Sequence, residues 1–329
     1  MLTLDKVYHA AYILRECARK TDLIAAPLLS ETHNLYLKTE NLQVTGSFKL
    51  RGAYYKISQL SDEEKSKGIV ACSAGNHAQG VAMSASRKGI KATICMPDSA
   101  PVMKVESTRR LGANIELVKG AYDDAHDRAV EIVNETGATF IHPYDDDCVI
   151  AGQATIGLEI LDQLEDVEAV VVPIGGGGLI SGVSFAVKSL KPDVKVYGVQ
   201  AAGAPSMFNS FKEHQREVLE NVSTFADGIA VKNPGENTVC VSEDEIAAAI
   251  LALIEKQKLI AEGAGAVPVA AAMFNKLPIE NKKTVCVVSG GNIDVNILSR
   301  VITRGLMMTG RNVNLTIELV DKPGQLQQV

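Results

Sequence analysis

Short apolar runs alternate with stretches of helical period along most of this chain, and that alternation restricts the fold more than any other feature. Strand-like runs at 68–71, 91–96, 113–118, 139–142, 169–173, 194–200 and 284–288 are separated by helix-like stretches at 77–88, 102–111, 122–135, 151–164 and 244–257. Further helices are expected after the glycines at 175–178 and after Asn292. Repeated strand–helix units imply an α/β fold, with parallel sheet covered by helices. In 329 residues, 46% of them hydrophobic, the pattern fits two three-layer αβα domains better than one.

Such sheets bind ligands beyond the carboxyl ends of their strands, where glycine-rich turns lead into helices. Three turns stand out: Ser73 to His77 (S-A-G-N-H), Gly175 to Gly178 (four glycines) and Ser289 to Asn292 (S-G-G-N), each directly after an apolar strand. Their shared position predicts a single cleft. Four successive glycines let backbone approach an anion, and the helix that follows offers unpaired N–H groups, so Gly175 to Gly178 read as a phosphate cup. A tight packing turn rarely needs four glycines. No frame of Gly175 to Gly182 satisfies G-x-G-x-x-G, and the next strand ends in Gln200 where a dinucleotide site wants an acid. G-x-x-x-x-G-K-[ST] is absent as well, which leaves a phosphate on some other cofactor.

Lys49 lies in S-F-K-L-R-G between apolar Phe48 and Leu50, at an expected helix start that Thr45 or Ser47 is placed to cap. Most lysines are solvated, but one at a helix start among apolar neighbours can be desolvated enough to act as a neutral amine.

Taken together and in this order, S-F-K-x-R-G, S-x-G-N-H, G-G-G-G-L and S-G-G-N resemble the serine/threonine dehydratase family over roughly residues 5 to 310. The resemblance implies a tryptophan-synthase β-like fold and pyridoxal 5'-phosphate as cofactor. It also implies elimination of the hydroxyl of threonine or serine, giving 2-oxobutanoate or pyruvate and ammonia. By position, Lys49 matches the family's Schiff-base lysine, Phe48 the residue against the pyridine ring and Asn76 the partner of the ring's 3-hydroxyl. Gly175, Gly176, Gly177, Gly178 and Leu179 match the loop on the cofactor phosphate. Ser73, Ala74, Gly75 and His77 match the loop that grips the substrate carboxylate. Ser289 matches the residue facing the ring nitrogen; a hydroxyl there implies a largely neutral ring, a weaker electron sink. Where racemases of similar fold carry a serine as second acid/base, this chain has Ala74, which points to elimination with little racemisation.

The same resemblance implies a large domain of residues 1–52 and 147–311 and a small domain, 53–146, that closes over substrate. Residues 312–329 are similar to the first strand and turn of an ACT-like regulatory domain, with Val313, Leu315, Ile317 and Leu319 alternating; eighteen residues cannot close a core alone. A nucleotide or amino-acid effector, with contacts at Thr45 and Gln79, and a homodimer or homotetramer are implied too. The family's cation position falls on Gln200, Ala204 and Ser206, where Gln200 replaces a frequent glutamate, so a monovalent ion or none is expected. The rivals are a serine-preferring dehydratase or racemase, a β-replacement enzyme and a non-catalytic sensor; the intact Lys49, Asn76 and Ser289 speak against the last.

A net charge of −6, with Lys and Arg spread along the chain, offers no basic patch for a nucleic-acid polymer, and no apolar run is long enough for a membrane span. Six widely spaced cysteines without a C-x-x-C pair read as buried thiols. Without a signal-peptide pattern at the N-terminus, the cytoplasm is the expected compartment.

Overall fold

A computed structural model of the protein describes residues 1–206, 209, 224–226, 238–313 and 315–318. In chain order the strands are β1 (Leu23–Ala25), β2 (Asn34–Lys38), β3 (Ile69–Cys72), β4 (Ala92–Pro97), β5 (Asn114–Val118), β6 (Thr139–Phe140), β7 (Ala169–Pro173), β8 (Lys195–Ala201), β9 (Thr238–Val241) and β10 (Lys283–Val287). The helices are α1 (Leu4–Leu14), α2 (Lys49–Ser58), α3 (Asp62–Lys67), α4 (Asn76–Lys88), α5 (Val102–Arg110), α6 (Tyr122–Thr136), α7 (Asp147–Gln163), α8 (Gly178–Leu190), α9 (Glu243–Ala252), α10 (Gly263–Met273) and α11 (Val295–Met308).

Among the described residues the strands form two sheets, one of six in the order β1-β2-β10-β7-β8-β9 and one of four in the order β5-β4-β3-β6. All pairings are parallel except β1 with β2. Strand alternation sorts each sheet's side chains into two layers. In the larger sheet, Ala169 and Val171 of β7 pack with α9 and α10, while Val170 and Val172 face Ile156 and Ile160 of α7 and Val183 of α8. In the smaller one, Ile69 and Ala71 pack with α4, while Val70 and Cys72 face Ala125 and Ala129 of α6. Each fully buried Val, Ile or Leu adds about 1.5–3 kcal/mol. The chain has the tryptophan-synthase β-like fold, with both sheets in three αβα layers.

The expected strand at 139–142 stops at Phe140. The ring nitrogen Nδ1 of His142 accepts from the backbone N–H groups of Tyr144 and Asp145, and Pro143 has no N–H to continue a ladder. The helix expected at 151–164 starts earlier, at Asp147, because the Asp146 carboxylate caps it through the N–H groups of Cys148 and Val149. The stretch 244–257 divides into α9 and a single π turn, Leu253–Gln257, which ends on Lys258 at φ 59°. Four of the cysteines are buried, but Cys148 and Cys240 are only partly so. Residues 313 and 315–318 of the tail are exposed and join no strand among the described residues; Leu319 and the turn after it lie outside them.

Helix α2 runs through residues 52 and 53 and packs on both α4 and α7. Glycines permit the contact on either side. A Cβ at Gly80 of α4 would come 3.1 Å from the Lys49 carbonyl carbon, and one at Gly152 of α7 would come 2.6 Å from both Arg51 O and Gly52 Cα.

On its α7 side α2 is anchored by Arg51, whose guanidinium binds both Glu40 oxygens at 2.8 Å and both Glu159 oxygens at 2.7 and 2.9 Å. Lys38 of β2 completes a charge-balanced buried group through Glu159, Gln163 and Thr21 O. Among the described residues no helix is long and apolar enough to cross a membrane.

Candidate active site

The carboxyl ends of both sheets open onto one cavity of about 880 Å³. The three glycine-rich turns all reach it: Ser73 to His77 after β3, Gly175 to Leu179 after β7, and Ser289 with Asn292 after β10. Phe48 and Lys49 form its floor at the start of α2.

The Lys49 amine donates to Pro143 O at 2.8 Å and stands 5.3 Å from the centre of the Phe48 ring. Burial depresses its pKa to about 8, against the opposing charge of Glu262. About a tenth of the amine is then neutral at pH 7, far more than for a solvated lysine, and the neutral form is the nucleophile. Neither Thr45 nor Ser47 caps α2, contrary to the sequence expectation. Phe48 at the N-cap is already helical, so residues 45 and 47 lie too far back along the turn. Thr45 Oγ1 turns to Ser47 O, and the buried Ser47 Oγ finds no hydrogen-bond partner among the described residues. The start of α2 is held instead by Phe48 N–H donating to Ser289 O at 3.0 Å and by Arg51.

Two helix N-termini face the cavity from opposite sheets. At α8 the N-cap is Gly177, at φ 89°, with no side-chain cap, so the first N–H groups of the helix remain for an anion. The loop rests on Tyr144. A Cβ at Gly178 would meet Tyr144 O at 2.6 Å, and one at Gly176 would overlap the Tyr144 ring. Leu179 lines the cavity and also joins the core beneath it.

At α4 the N-cap is Gly75, again without a side-chain cap, and a Cβ there would meet nothing within 4 Å. Gly75 N–H donates to Ser73 Oγ at 3.1 Å, leaving the Ser73 hydroxyl proton and the N–H groups of α4 for a ligand. The His77 ring turns away, its Nε2 against Ile141 O at 2.8 Å. Since a carbonyl only accepts, Nε2 carries the proton. Burial, helped by the Lys49 charge, pushes His77 down to about 3, so the ring is neutral at working pH. It braces the strand end that carries Pro143.

Asn76 is held by two residues, Glu262 and Asn292, that the sequence reading did not single out as site residues. Ser289 is buried and lines the cavity, and its hydroxyl is a group that can donate there. A phosphate, a reactive aldehyde and a ring acceptor would thus each meet a matching group: α8, Lys49 and Ser289. Pyridoxal phosphate has all three, and the residues fit it.

The other expected positions lie apart. Gln79 lines the cavity, but Thr45 is buried outside it, its carbonyl accepting from Asn292 at 2.8 Å. Gln200, Ala204 and Ser206 are fully buried at and after the end of β8 and do not line the cavity. Among the described residues no three His, Cys, Asp or Glu side chains are grouped to hold a metal ion.

Residues 14–291 match the family model described as pyridoxal-phosphate dependent enzyme. An L-threonine ammonia-lyase of Thermotoga maritima is 52% identical, over all of this chain and 85% of that protein. The processed form of threonine deaminase isoform 2 from Solanum lycopersicum superposes with a TM-score of 0.86 at 39% identity, covering 94% of this chain and 89% of that one. Maize serine racemase gives 0.87 at 31%, covering 94% and 99%. With its lysine, glycine loop and serine set around one cavity, the chain belongs to the pyridoxal-phosphate-dependent enzymes and, among them, to the serine/threonine dehydratases.

Proposed function

We infer that the protein is a threonine ammonia-lyase, converting L-threonine to 2-oxobutanoate and ammonia, with L-serine to pyruvate as a second reaction. One observation carries this reading: a partly buried, weakly basic lysine lies in one cavity with two uncapped helix N-termini. One helix start suits a phosphate and the other a substrate carboxylate. When bound, pyridoxal phosphate supplies the sink for the electrons released at the substrate Cα.

The chain's own groups do the rest. The N–H groups of α8 hold the phosphate. Ser73 and the start of α4 hold the carboxylate, which fixes the Cα–H bond in reach of the Lys49 amine. That amine, in its neutral form, takes the proton from Cα. Residues 53–146, moving as a unit relative to 1–52 and 147–311, close the cavity and exclude water. The tail 312–329 as the start of a regulatory segment, a nucleotide or amino-acid effector, a homo-oligomer and a cytoplasmic location complete the reading.

The test is release of 2-oxo acid and ammonia from L-threonine by the cofactor-loaded protein. Stoichiometric release supports the reading; turnover that requires an added thiol or other nucleophile would make it a β-replacement enzyme. Ala74 lines the cavity beside Ser73 and presents no hydroxyl to the face of Cα opposite the lysine. D-serine should therefore form from L-serine at least about 100-fold more slowly than pyruvate, since a positioned acid contributes roughly 10²–10⁴. Chiral chromatography of the reaction checks this, and comparable rates would refute the assignment of Ala74.

A further inference from the structure

The cleft contains a carboxylate that the reaction as described does not use. Glu262 stands at the N-cap of α10 and is 5% exposed, yet its side chain does not cap that helix. Its Oε1 accepts instead from Asn76 Nδ2 at 2.7 Å. Asn76 Oδ1 accepts in turn from Asn292 Nδ2 at 2.8 Å, and the same nitrogen donates to Thr45 O. A carboxylate offers only acceptors at one end and Asn292 presents a donor at the other, so the amide of Asn76 has a single allowed orientation.

The S-G-G-N turn is shaped around this carboxylate. Glu262 N–H donates to Gly290 O at 3.0 Å, and a Cβ at Gly290 would overlap Glu262 Oε1. The glycine at 290 thus makes room for an acid from another segment.

Charge gives the acid a second role. Among the described residues lining the cavity, the acids are Asp123, exposed at the rim, and Glu262. Other groups near Lys49 include the Phe48 ring, the Ser289 hydroxyl, and His77 and His142, both of which burial keeps toward the neutral form, while the remaining cation among the described residues lining the cavity is Lys104. Since Ser289 brings no charge to the ring nitrogen, the negative charge of the inner cleft comes from Glu262.

We propose that Glu262 is a positioning residue of this site: it fixes the Asn76 amide toward the cofactor ring and supplies the anion that the Lys49 amine faces. The proposal rests on Lys49 being the residue that carries the cofactor. It is tested on the full-length chain stripped of cofactor, by reductive methylation of Lys49 as a function of pH, read by peptide mass spectrometry.

Methylation follows the neutral amine, with its midpoint expected at about 8 in the parent protein. Glu262→Gln keeps the shape and removes the charge, so the ammonium loses its stabilising anion. The midpoint should fall by about one pH unit, making methylation at pH 7 about fivefold faster. Glu262→Asp keeps the charge and should keep the midpoint. In Glu262→Ala the Asn76 amide loses its acceptor, and bound pyridoxal phosphate should dissociate about tenfold faster.

An unmoved midpoint in Glu262→Gln, equal shifts in the Gln and Asp variants, or unchanged cofactor release from the Ala variant would each overturn the proposal. Threonine turnover enters none of these measurements. Failure of the threonine assay would leave the role of Glu262 standing, and the reverse holds equally.

Discussion

Replacing Lys49 with alanine should lower threonine turnover by about 10³-fold or more, because in the proposed mechanism the variant loses both the anchor of the cofactor and the base at Cα. The absorbance band of the cofactor–lysine linkage, near roughly 410 nm, should vanish with it. Residual turnover within tenfold of the parent would remove Lys49 from the mechanism.

The same substitution should stabilise the cofactor-free protein. Lys49 is depressed from 10.5 to about 8 by burial, so protonating it costs more in the folded chain than in the unfolded one. That cost is absent above about pH 10.5, grows as the pH falls to about 8, and is complete below. The shift of about 2.5 units corresponds to about 3 kcal/mol, less whatever the lysine stem and its bond to Pro143 O contribute. Thermal melts of both cofactor-free proteins should therefore differ at pH 7, with the variant the more stable, and converge toward pH 10. A parent protein that melts higher at pH 7 would show that the amine is not desolvated at a cost.

Arg51→Ala should have the largest effect on folding. Arg51, Glu40 and Lys38 are at most 1% exposed, and removing the guanidinium leaves Glu40 and one side of Glu159 without their cation. Breaking a buried pair from one side costs about 3–5 kcal/mol, a fall in melting temperature of roughly 5–15 °C for a chain of this size. Lys283→Ala, which removes an exposed and solvent-screened pair with Asp166, should leave stability nearly unchanged.

Burial raises the Glu40 pKa, but the charge and hydrogen bonds of Arg51 outweigh it and hold the carboxyl below its usual range. Its contribution is present above about pH 4.5 and is lost as the pH falls through the depressed value. Denaturant titrations of the two variants at pH 7 and pH 4 check both statements. Equal losses for Arg51→Ala and Lys283→Ala would mean that the network is no clamp.

Much of the fold was legible in the sequence wherever one face of an element is polar. β7 lies where its apolar run predicts, and α6 runs one residue past its predicted end. Helix α10 gave no such signal. Gly263 through Ala272 are all buried and mostly small, so no polar stripe marks a period, and Pro268 within it reads as a stop. β2 was hidden for the opposite reason, since it ends in a lysine that belongs to the core.

At the site, the three turns and Lys49 were readable because each is a local pattern. Glu262 was not. It meets Asn76 across 186 positions of sequence, as Arg51 meets Glu159 across 108, and no spacing rule reaches that far. Tyr144 was missed because its role is to be a surface for glycines, which leaves no chemical signature of its own.

The two glycine crossings of α2 bear on how this enzyme tolerates change. With Gly80 and Gly152 pressed against the backbone at Lys49 and Arg51, no side chain separates the three helices there. The location of the Lys49 backbone is therefore set by interhelical spacing as well as by the loop contacts at Ser289 and Pro143. A single methyl group at either glycine, neither of which lines the cavity, should shift the backbone that carries Lys49.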